Sequence, residues 1–340
     1  MLKYREYGFL NFKMIITRTP LRISFLGGGT DFANFYNKYS GCVLTTAINK
    51  YVYCIVKERF DKHIYINYSE KEIVNKVSEI KHELVREALK KVGIKEGIEI
   101  AFMSDIPSSG SGLGSSSSVT VGVLNALYQY KGLSVDAQRL AREACEIEIK
   151  ILKKPIGVQD QYIAAYGGVR FIEFNKRGVR VKDLGLSNEK LDDLKNYMMI
   201  FFTGRTRKAD SILAEQASNI KSQISNLKAM AQMAREGKAL LENGQMIKLG
   251  KLLDEGWKLK KQLASKISDP EIDKIYNAAK KAGAIGGKIS GAGGGGFLTL
   301  FVPSGKREMV RKAVTACLPA GREMPVGLSR DGSKVIFNIR

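Results

Sequence analysis

The sequence predicts an α+β chain of two domains. Three patterns lead there. Segments rich in β-branched and aromatic residues dominate the opening stretch, helix-spaced apolar residues take over after about residue 80, and strand–helix alternation resumes after about residue 190 around a long proline-free helical region. At 340 residues the chain is long enough to bury two cores.

Residues 1–13 are polar and aromatic without periodicity, and they read as an N-terminal extension. Residues 15–25 form a strand pattern. Residues 42–56 concentrate Val43, Thr45, Thr46, Ile48, Tyr51, Val52, Tyr53, Ile55 and Val56, and 64–68 repeat that chemistry, so both are expected as strands. Helical spacing marks 81–91, 119–130 and 137–152, with 98–102 a strand between them. The first domain is expected to span 14–190 and the second 191–340. In the second, 197–202 is a strand, 209–268 is helical, 271–282 is a helix, 297–302 a strand, 306–316 a helix and 334–339 a closing strand. No period of 20–50 residues recurs, which excludes a solenoid.

A hydrophobic content of 44%, 26% charged residues and 7 prolines exclude disorder, collagen and coiled coil. The longest apolar runs fall far short of the roughly 20 residues of a membrane-spanning helix. The N-terminal stretch lacks the apolar core and small-residue cleavage site of a signal peptide, so a cytoplasmic protein is expected. Four cysteines with no C-x-x-C pair and two histidines argue against a zinc site. The net charge of +21 favours anionic partners, either nucleic acid or a phosphorylated small molecule. The basic residues are spread through helical stretches such as 251–261 and no aromatic–basic RNA-binding signature is present, which disfavours nucleic acid.

Three segments break the pattern. The first, Pro107-Ser108-Ser109-Gly110-Ser111-Gly112-Leu113-Gly114-Ser115-Ser116-Ser117-Ser118, lies between a strand and an amphipathic helix. A flexible linker has such a composition, but a linker joins domains, whereas this stretch feeds its last serines into the first turn of a helix. Phosphate binding is therefore the favoured reading: glycines let backbone N–H groups approach an anion, and the helix N-terminus adds orphan donors and partial positive charge. The segment matches neither a Walker A loop nor a G-x-G-x-x-G fingerprint. The second, residues 286–296, holds seven glycines in eleven residues together with Lys288 and Ser290. It reads either as a mobile hairpin loop or as a backbone nest that reaches a phosphate. The third is Gly27-Gly28-Gly29-Thr30-Asp31, taken with Glu148 and the run Pro155-Ile156-Gly157-Val158-Gln159-Asp160-Gln161. Asp31 is either a cap for a helix starting near Phe32 or a ligand for substrate. Asp160, between apolar and amide neighbours in a Pro/Gly-bounded turn, is not placed as a solvated charge. Glu148 is ambiguous, because charged helix faces usually meet solvent.

Taken together, these segments resemble the three ordered motifs of the GHMP small-molecule kinases, the superfamily of galactokinase, homoserine kinase, mevalonate kinase and phosphomevalonate kinase. Arg18-Thr19-Pro20-Leu21-Arg22-Ile23-Ser24-Phe25-Leu26-Gly27-Gly28-Gly29-Thr30-Asp31 is similar to the first motif, 107–118 to the second and 286–296 to the third. Within the superfamily, the first motif and Gly157-Val158-Gln159-Asp160-Gln161-Tyr162 look most like heptose 7-phosphate kinases. The resemblance implies an N-terminal domain like ribosomal protein S5 domain 2, a ferredoxin-like C-terminal domain, and an active site between them that uses ATP and Mg²⁺.

Carried over by position, the resemblance assigns ATP phosphates to Ser109, Gly110, Ser111, Gly112, Leu113, Gly114, Ser115, Ser116 and Ser117. It makes Ser116 and Glu148 the metal ligands and Asp160 the catalytic carboxylate, with Arg22 beside it. Substrate binding falls to Gly29, Thr30, Asp31, Lys288, Ser290, Gly291 and Gly293. A phosphate carried by the sugar needs further cations, and the turn Thr203-Gly204-Arg205-Thr206-Arg207-Lys208 offers Arg205 and Arg207. The implied activity is phosphorylation of the anomeric hydroxyl of D-glycero-D-manno-heptose 7-phosphate. A kinase for an unphosphorylated sugar such as fucose, or a basic nucleic-acid-binding protein on an S5-like fold, are the competing readings. No membrane partner is expected.

Overall fold

The structure, a computed structural model, describes residues 13–107, 110–206, 209–318 and 321–339. Its strands are β1 (Met14–Leu26), β2 (Gly41–Glu58), β3 (Ile64–Asn67), β4 (Lys71–Val74), β5 (Ile98–Ser104), β6 (Val169–Asn175), β7 (Gly178–Asp183), β8 (Met198–Phe202), β9 (Gly286–Ile289), β10 (Phe297–Phe301), β11 (Arg322–Glu323) and β12 (Lys334–Ile339).

Eight strands make the first sheet, in the order β12-β1-β2-β5-β3-β4, with β6 paired to β2 and β7 to β6. β2 is long enough to hold two partners on one edge: Gly41–Thr46 pairs with β6 and Val52–Glu58 with β5. The β1–β2 register slips between Pro20 and Leu21, where proline has no N–H to give the ladder. Beyond the slip, β1 is buried on both faces from Pro20 to Leu26, so Arg22, Ser24 and the glycines that follow are delivered into the interior. One face of the sheet carries the helices Glu83–Val92, Ser115–Tyr130, Ala137–Cys145 and Gln159–Tyr166, over a core of Ile15, Val43, Val56, Ile100, Val123, Leu127 and Ile163. The other face places Leu21, Ile23, Leu44 and Ile48 against Ala234, Leu241, Leu249 and Leu253 of the helices Ile224–Glu242 and Met246–Lys261. At Gly237 an added Cβ would sit 2.3 Å from a Leu26 methyl, so a larger residue there would require that side chain to move.

The second sheet has four antiparallel strands in the order β11-β8-β10-β9. Numbered within the sheet this is 4-1-3-2, a split βαβ arrangement, and it is ferredoxin-like. Its buried apolar strands, Met198–Phe202 and Phe297–Phe301, pack on Trp257, Ile272, Ile275 and Val314.

Two expectations change. The closing strand does not belong to a 191–340 domain. After β11 the chain returns to the first sheet, where Leu328 bridges Ile48, Ser329 N–H donates to the Ala47 carbonyl and β12 pairs antiparallel with β1. The physical reason is that β1 would otherwise be an unpaired edge. The helix expected over 137–152 is α-helical only to Cys145 and continues as a π-helix over Glu146–Ile151, which rotates Glu148 to full burial instead of a solvent face. The expected helical region 209–268 is helical up to Lys261, as three helices, Ala209–Asn219, Ile224–Glu242 and Met246–Lys261. The hairpin β6–β7 was not among the expected elements. Residues 1–12 of the expected extension lie outside the described residues, while Lys13 joins the sheet by accepting the Glu58 N–H.

Deleting residues 333–340 should lower the melting temperature by about 5 °C or more. The deletion removes β12 and also the Ser333 contacts, in which Thr19 donates to its hydroxyl at 2.8 Å and Asn125 to its carbonyl at 3.2 Å. An unchanged melt would show that this edge contributes nothing to stability.

Candidate active site

A cavity of about 360 Å³ opens where the two glycine-rich segments meet the end of β1. Its wall includes Arg22, Asp31, Gly110 to Gly112, Gly114 to Ser117, Glu148, Asp160, Lys260, Lys288 and Gly291. The segments touch directly: a Cβ on Gly112, whose φ is +73°, would fall 2.4 Å from the Ser290 carbonyl oxygen, so no other residue fits there. Leu113 buries its side chain in the core and accepts the Arg22 N–H at 3.0 Å, which pins the loop to β1. Ser115 begins the 16-residue helix, and its hydroxyl lies 3.0 Å from that of Ser111. Serine hydroxyls and unpaired N–H groups at a helix start form a donor-rich wall suited to phosphate.

Across from that wall, Arg22 grips Asp160 through two parallel bonds, Nε to Oδ1 at 2.7 Å and Nη2 to Oδ2 at 2.6 Å, while Nη1 donates to the Gly112 carbonyl at 2.6 Å. Arg22 is almost fully buried, whereas a quarter of the Asp160 side chain faces the cavity. One guanidinium thus fixes the position of both the loop and the carboxylate.

Glu148 is completely buried. Its Oε2 accepts from Ser116 at 3.2 Å and Ser117 at 3.3 Å, and its Oε1 from Gln161 Nε2 at 3.2 Å. Burial pushes its pKa up to about 7, against these hydrogen bonds. A carboxylate and two hydroxyls facing one point are hard oxygen donors, the chemistry that fits Mg²⁺, and they leave room for ligands from phosphate and water.

Asp31 is buried as well. It accepts from Gly29 N–H at 2.9 Å and from Gln159 Nε2 at 3.0 Å, and burial raises its pKa. Gly157 makes room for it, since a Cβ there would lie 2.0 Å from Oδ2. The helix Ala33–Tyr39 takes no side-chain cap from it, which removes the capping reading. Beside it lie two buried amines. Lys260 donates to Gln216 Oε1 at 2.7 Å and to the Gly28 carbonyl at 3.4 Å, and burial lowers its pKa to about 8. Lys288 is lowered to about 7, first by burial and then by the charges of Lys260 and Arg22.

Residues 72–168 match the family model "GHMP kinases N terminal domain" and residues 238–320 match "GHMP kinases C terminal". A D-glycero-alpha-D-manno-heptose 7-phosphate kinase of Campylobacter jejuni is 33% identical over 320 residues, covering 89% of this chain and 93% of its own. The chain belongs to the GHMP kinase family. Among solved structures, a D-glycero-D-manno-heptose 1-phosphate kinase from Bacteroides thetaiotaomicron superposes with a TM-score of 0.80 at 27% identity, covering 95% of this chain and 99% of that one. Lactococcus lactis galactokinase in complex with galactose shares the fold, with a TM-score of 0.75 at 20% identity and coverage of 94% and 95%. GHMP kinases use ATP, and the protein is an ATP-dependent sugar kinase; the Campylobacter and Bacteroides relatives are named for heptose phosphates.

In this GHMP kinase, the cavity gathers Arg22, Gly29, Asp31, Gly110, Ser111, Gly112, Gly114, Ser115, Ser116, Ser117, Glu148, Asp160, Lys288 and Gly291 from the residues expected on sequence. Others do not reach it. Thr30 spends its hydroxyl bridging the Cys42 backbone, Leu113 is core, Ser290 is bonded to Thr299, and Gly293 packs on Ile267. Arg205 is held by Asp269 at 3.3 Å and Glu271 at 2.6 Å at the start of the helix Pro270–Lys281, outside the cavity wall. Ser109 and Arg207 lie outside the described residues. Sequence reasoning missed Ser24, Lys154, Gln216 and Lys260, and it did not give Gln159 and Gln161 roles. The two glutamines flank Asp160 in a run already singled out, whereas Lys260 looks like any lysine of a basic helix.

The buried amines predict a pH signature. Their folded pKa values are depressed below the ordinary 10.5, so the charge burial cost is full below about 7 and fades gradually as pH rises from 7 to 8 toward 10.5, where the unfolded chain also loses the proton. Arg22, Asp31 and Asp160 are the neighbouring charges. Lys260→Met and Lys288→Met should therefore melt higher than the unliganded wild type at about pH 6, with the gap narrowing toward about pH 9. A gap independent of pH in thermal melts would contradict buried charge at these sites.

Proposed function

We propose that this kinase transfers the γ-phosphoryl group of ATP to the anomeric hydroxyl of D-glycero-D-manno-heptose 7-phosphate, giving the 1,7-bisphosphate for nucleotide-activated heptose synthesis. The observation that carries the reading is the Arg22–Asp160 pair, set between a donor-rich helix start and the buried carboxylate of Asp31 in one cavity. The names of the Campylobacter and Bacteroides relatives support the heptose.

Phosphoryl transfer has a loose transition state, so the protein mainly positions groups and neutralises charge. Backbone N–H groups and hydroxyls from Gly110 to Ser117 hold the nucleotide phosphates. Ser116, Ser117 and Glu148 would hold Mg²⁺, which when bound neutralises phosphate charge. Asp160, held in one orientation by Arg22, accepts the proton of the anomeric hydroxyl. Arg22 then faces the negative charge spread over the transferred group. Asp31 accepts from sugar hydroxyls, with Gln159 fixing its direction.

Purified protein supplied with Mg-ATP and a panel of sugars and sugar phosphates should release ADP fastest with heptose 7-phosphate. ADP release with fucose alone would favour the unphosphorylated-sugar reading, and stabilisation by RNA in place of Mg-ATP would favour nucleic-acid binding. Asp160→Asn should lower kcat about 10²- to 10⁴-fold with the ATP KM within a few-fold. Near-normal turnover of the folded variant would remove Asp160 from the chemistry. Ser116→Ala, Ser117→Ala and Glu148→Gln should each raise the Mg²⁺ concentration needed for half-maximal rate. A shift confined to one serine would identify that hydroxyl as the ligand, and no shift in any of the three would place the metal elsewhere.

A further inference from the structure

With Arg205 committed to Asp269 and Glu271, the phosphate carried by the sugar requires another grip. The cavity wall holds one. Gly28, at the end of β1, presents a bare face to three groups: a Cβ added there would lie 3.6 Å from Ser24 Oγ, 3.7 Å from Gln159 Nε2 and 4.0 Å from Lys288 Nζ. The same construction on Gly29 lies 3.8 Å from Lys260 Nζ. Ser24 is 4% exposed and its hydroxyl has no hydrogen-bond partner among the described residues, which is uncommon for a buried polar atom. Lys260 and Lys288 are 4% and 7% exposed, and among the described residues neither forms an ion pair with a carboxylate.

Two ammonium groups buried side by side, with an idle hydroxyl, destabilise a protein that holds nothing. The same arrangement matches a dianion: two positive charges, a hydroxyl donor and a second amide N–H from Gln159, around a space kept open by glycine. None of these donors belongs to the serine loop or to the Arg22–Asp160 pair, which serve the nucleotide phosphates and the transfer. Gln159 contacts Asp31 as well as the Gly28 face, so the open space adjoins the carboxylate assigned to the sugar hydroxyls.

We propose that Ser24 and Lys288 on the open face of Gly28, with Lys260 against the Gly28 carbonyl, form a second anion subsite that binds the phosphate carried by the sugar substrate and so sets the preference for a sugar phosphate. The assignment rests on the sugar-kinase reading above. Its neighbouring charges, Arg22, Asp31 and Asp160, leave the two lysines with a shared excess of positive charge for the ligand.

The test compares heptose 7-phosphate with unphosphorylated heptose in wild type, Lys260→Met, Lys288→Met and Ser24→Ala. Each lysine variant should raise the KM for heptose 7-phosphate about 10- to 150-fold, Ser24→Ala by several-fold, and the ratio of kcat/KM between the two sugars should fall accordingly. The ATP KM should stay within a few-fold of wild type. An ATP KM that rises in step would assign these donors to the nucleotide and overturn the proposal, as would equal losses on both sugars. A wild type that prefers heptose 7-phosphate while the variants keep that preference would also overturn it, with the kinase reading intact. Binding gives a readout apart from turnover: with a non-hydrolysable ATP analogue filling the serine loop, inorganic phosphate should raise the melting temperature of wild type, less that of Ser24→Ala, and not that of the lysine variants. Equal phosphate stabilisation of all four proteins would refute the subsite even if no sugar were phosphorylated.

Discussion

The bidentate contact between Arg22 and Asp160 is the constraint on which the cavity depends. Arg22 comes from the buried half of β1, Asp160 from the first turn of the helix Gln159–Tyr166, and the third arm of the guanidinium holds the Gly112 carbonyl. Sheet, loop and helix therefore share one charged group buried in the interior. A nearly buried arginine is tolerable only with this degree of satisfaction, because a lone charge there would cost several kcal/mol. Each arm of the contact also removes a freedom that phosphoryl transfer does not tolerate, since its catalysis is largely a matter of position.

The rest of the site is a collection of charges kept out of water. Glu148 and Asp31 are raised and Lys260 and Lys288 lowered, in each case with burial the largest cause. Such groups cluster where ligands complete the electrostatics. The protein meets the cost with amide and hydroxyl partners: Gln161, Ser116 and Ser117 around Glu148, Gln159 and the Gly29 N–H around Asp31, and Gln216 on Lys260. The net charge of +21 attracts anions from a distance, whereas these few interior cations are fixed at one place in the cavity.

Close backbone approach is what lets these groups meet. Gly112 lies against the Ser290 backbone and Gly157 against the Asp31 carboxylate, each at a distance that no Cβ could occupy without displacing its neighbour. The two glycine-rich segments are thus contact surfaces between the two sheets' loops as well as walls of the cavity, and the hairpin-loop reading of residues 286–296 gives way to a packed turn whose Ser290 is tied to Thr299. The π-helix at Glu146–Ile151 has a similar effect: it turns a charged residue from an ordinary helix face into the interior.

The sequence by itself determined the main strands and helices, the three glycine-bearing segments and, through resemblance, the two-domain plan and the kinase family, because periodicity, turn chemistry and motif spacing are local properties of a chain. Asp160, Arg22 and the serine run were legible for that reason. Tertiary structure decided the rest, since each of those outcomes depends on a partner distant in the chain. β12 returned to the first sheet because β1 had an edge to fill, and Thr30 was lost to Cys42, Ser290 to Thr299 and Arg205 to two carboxylates. Lys260 entered the site from a helix that reads as uniformly basic, and only packing against Gly28 and Gln216 distinguishes it from the solvated lysines around it.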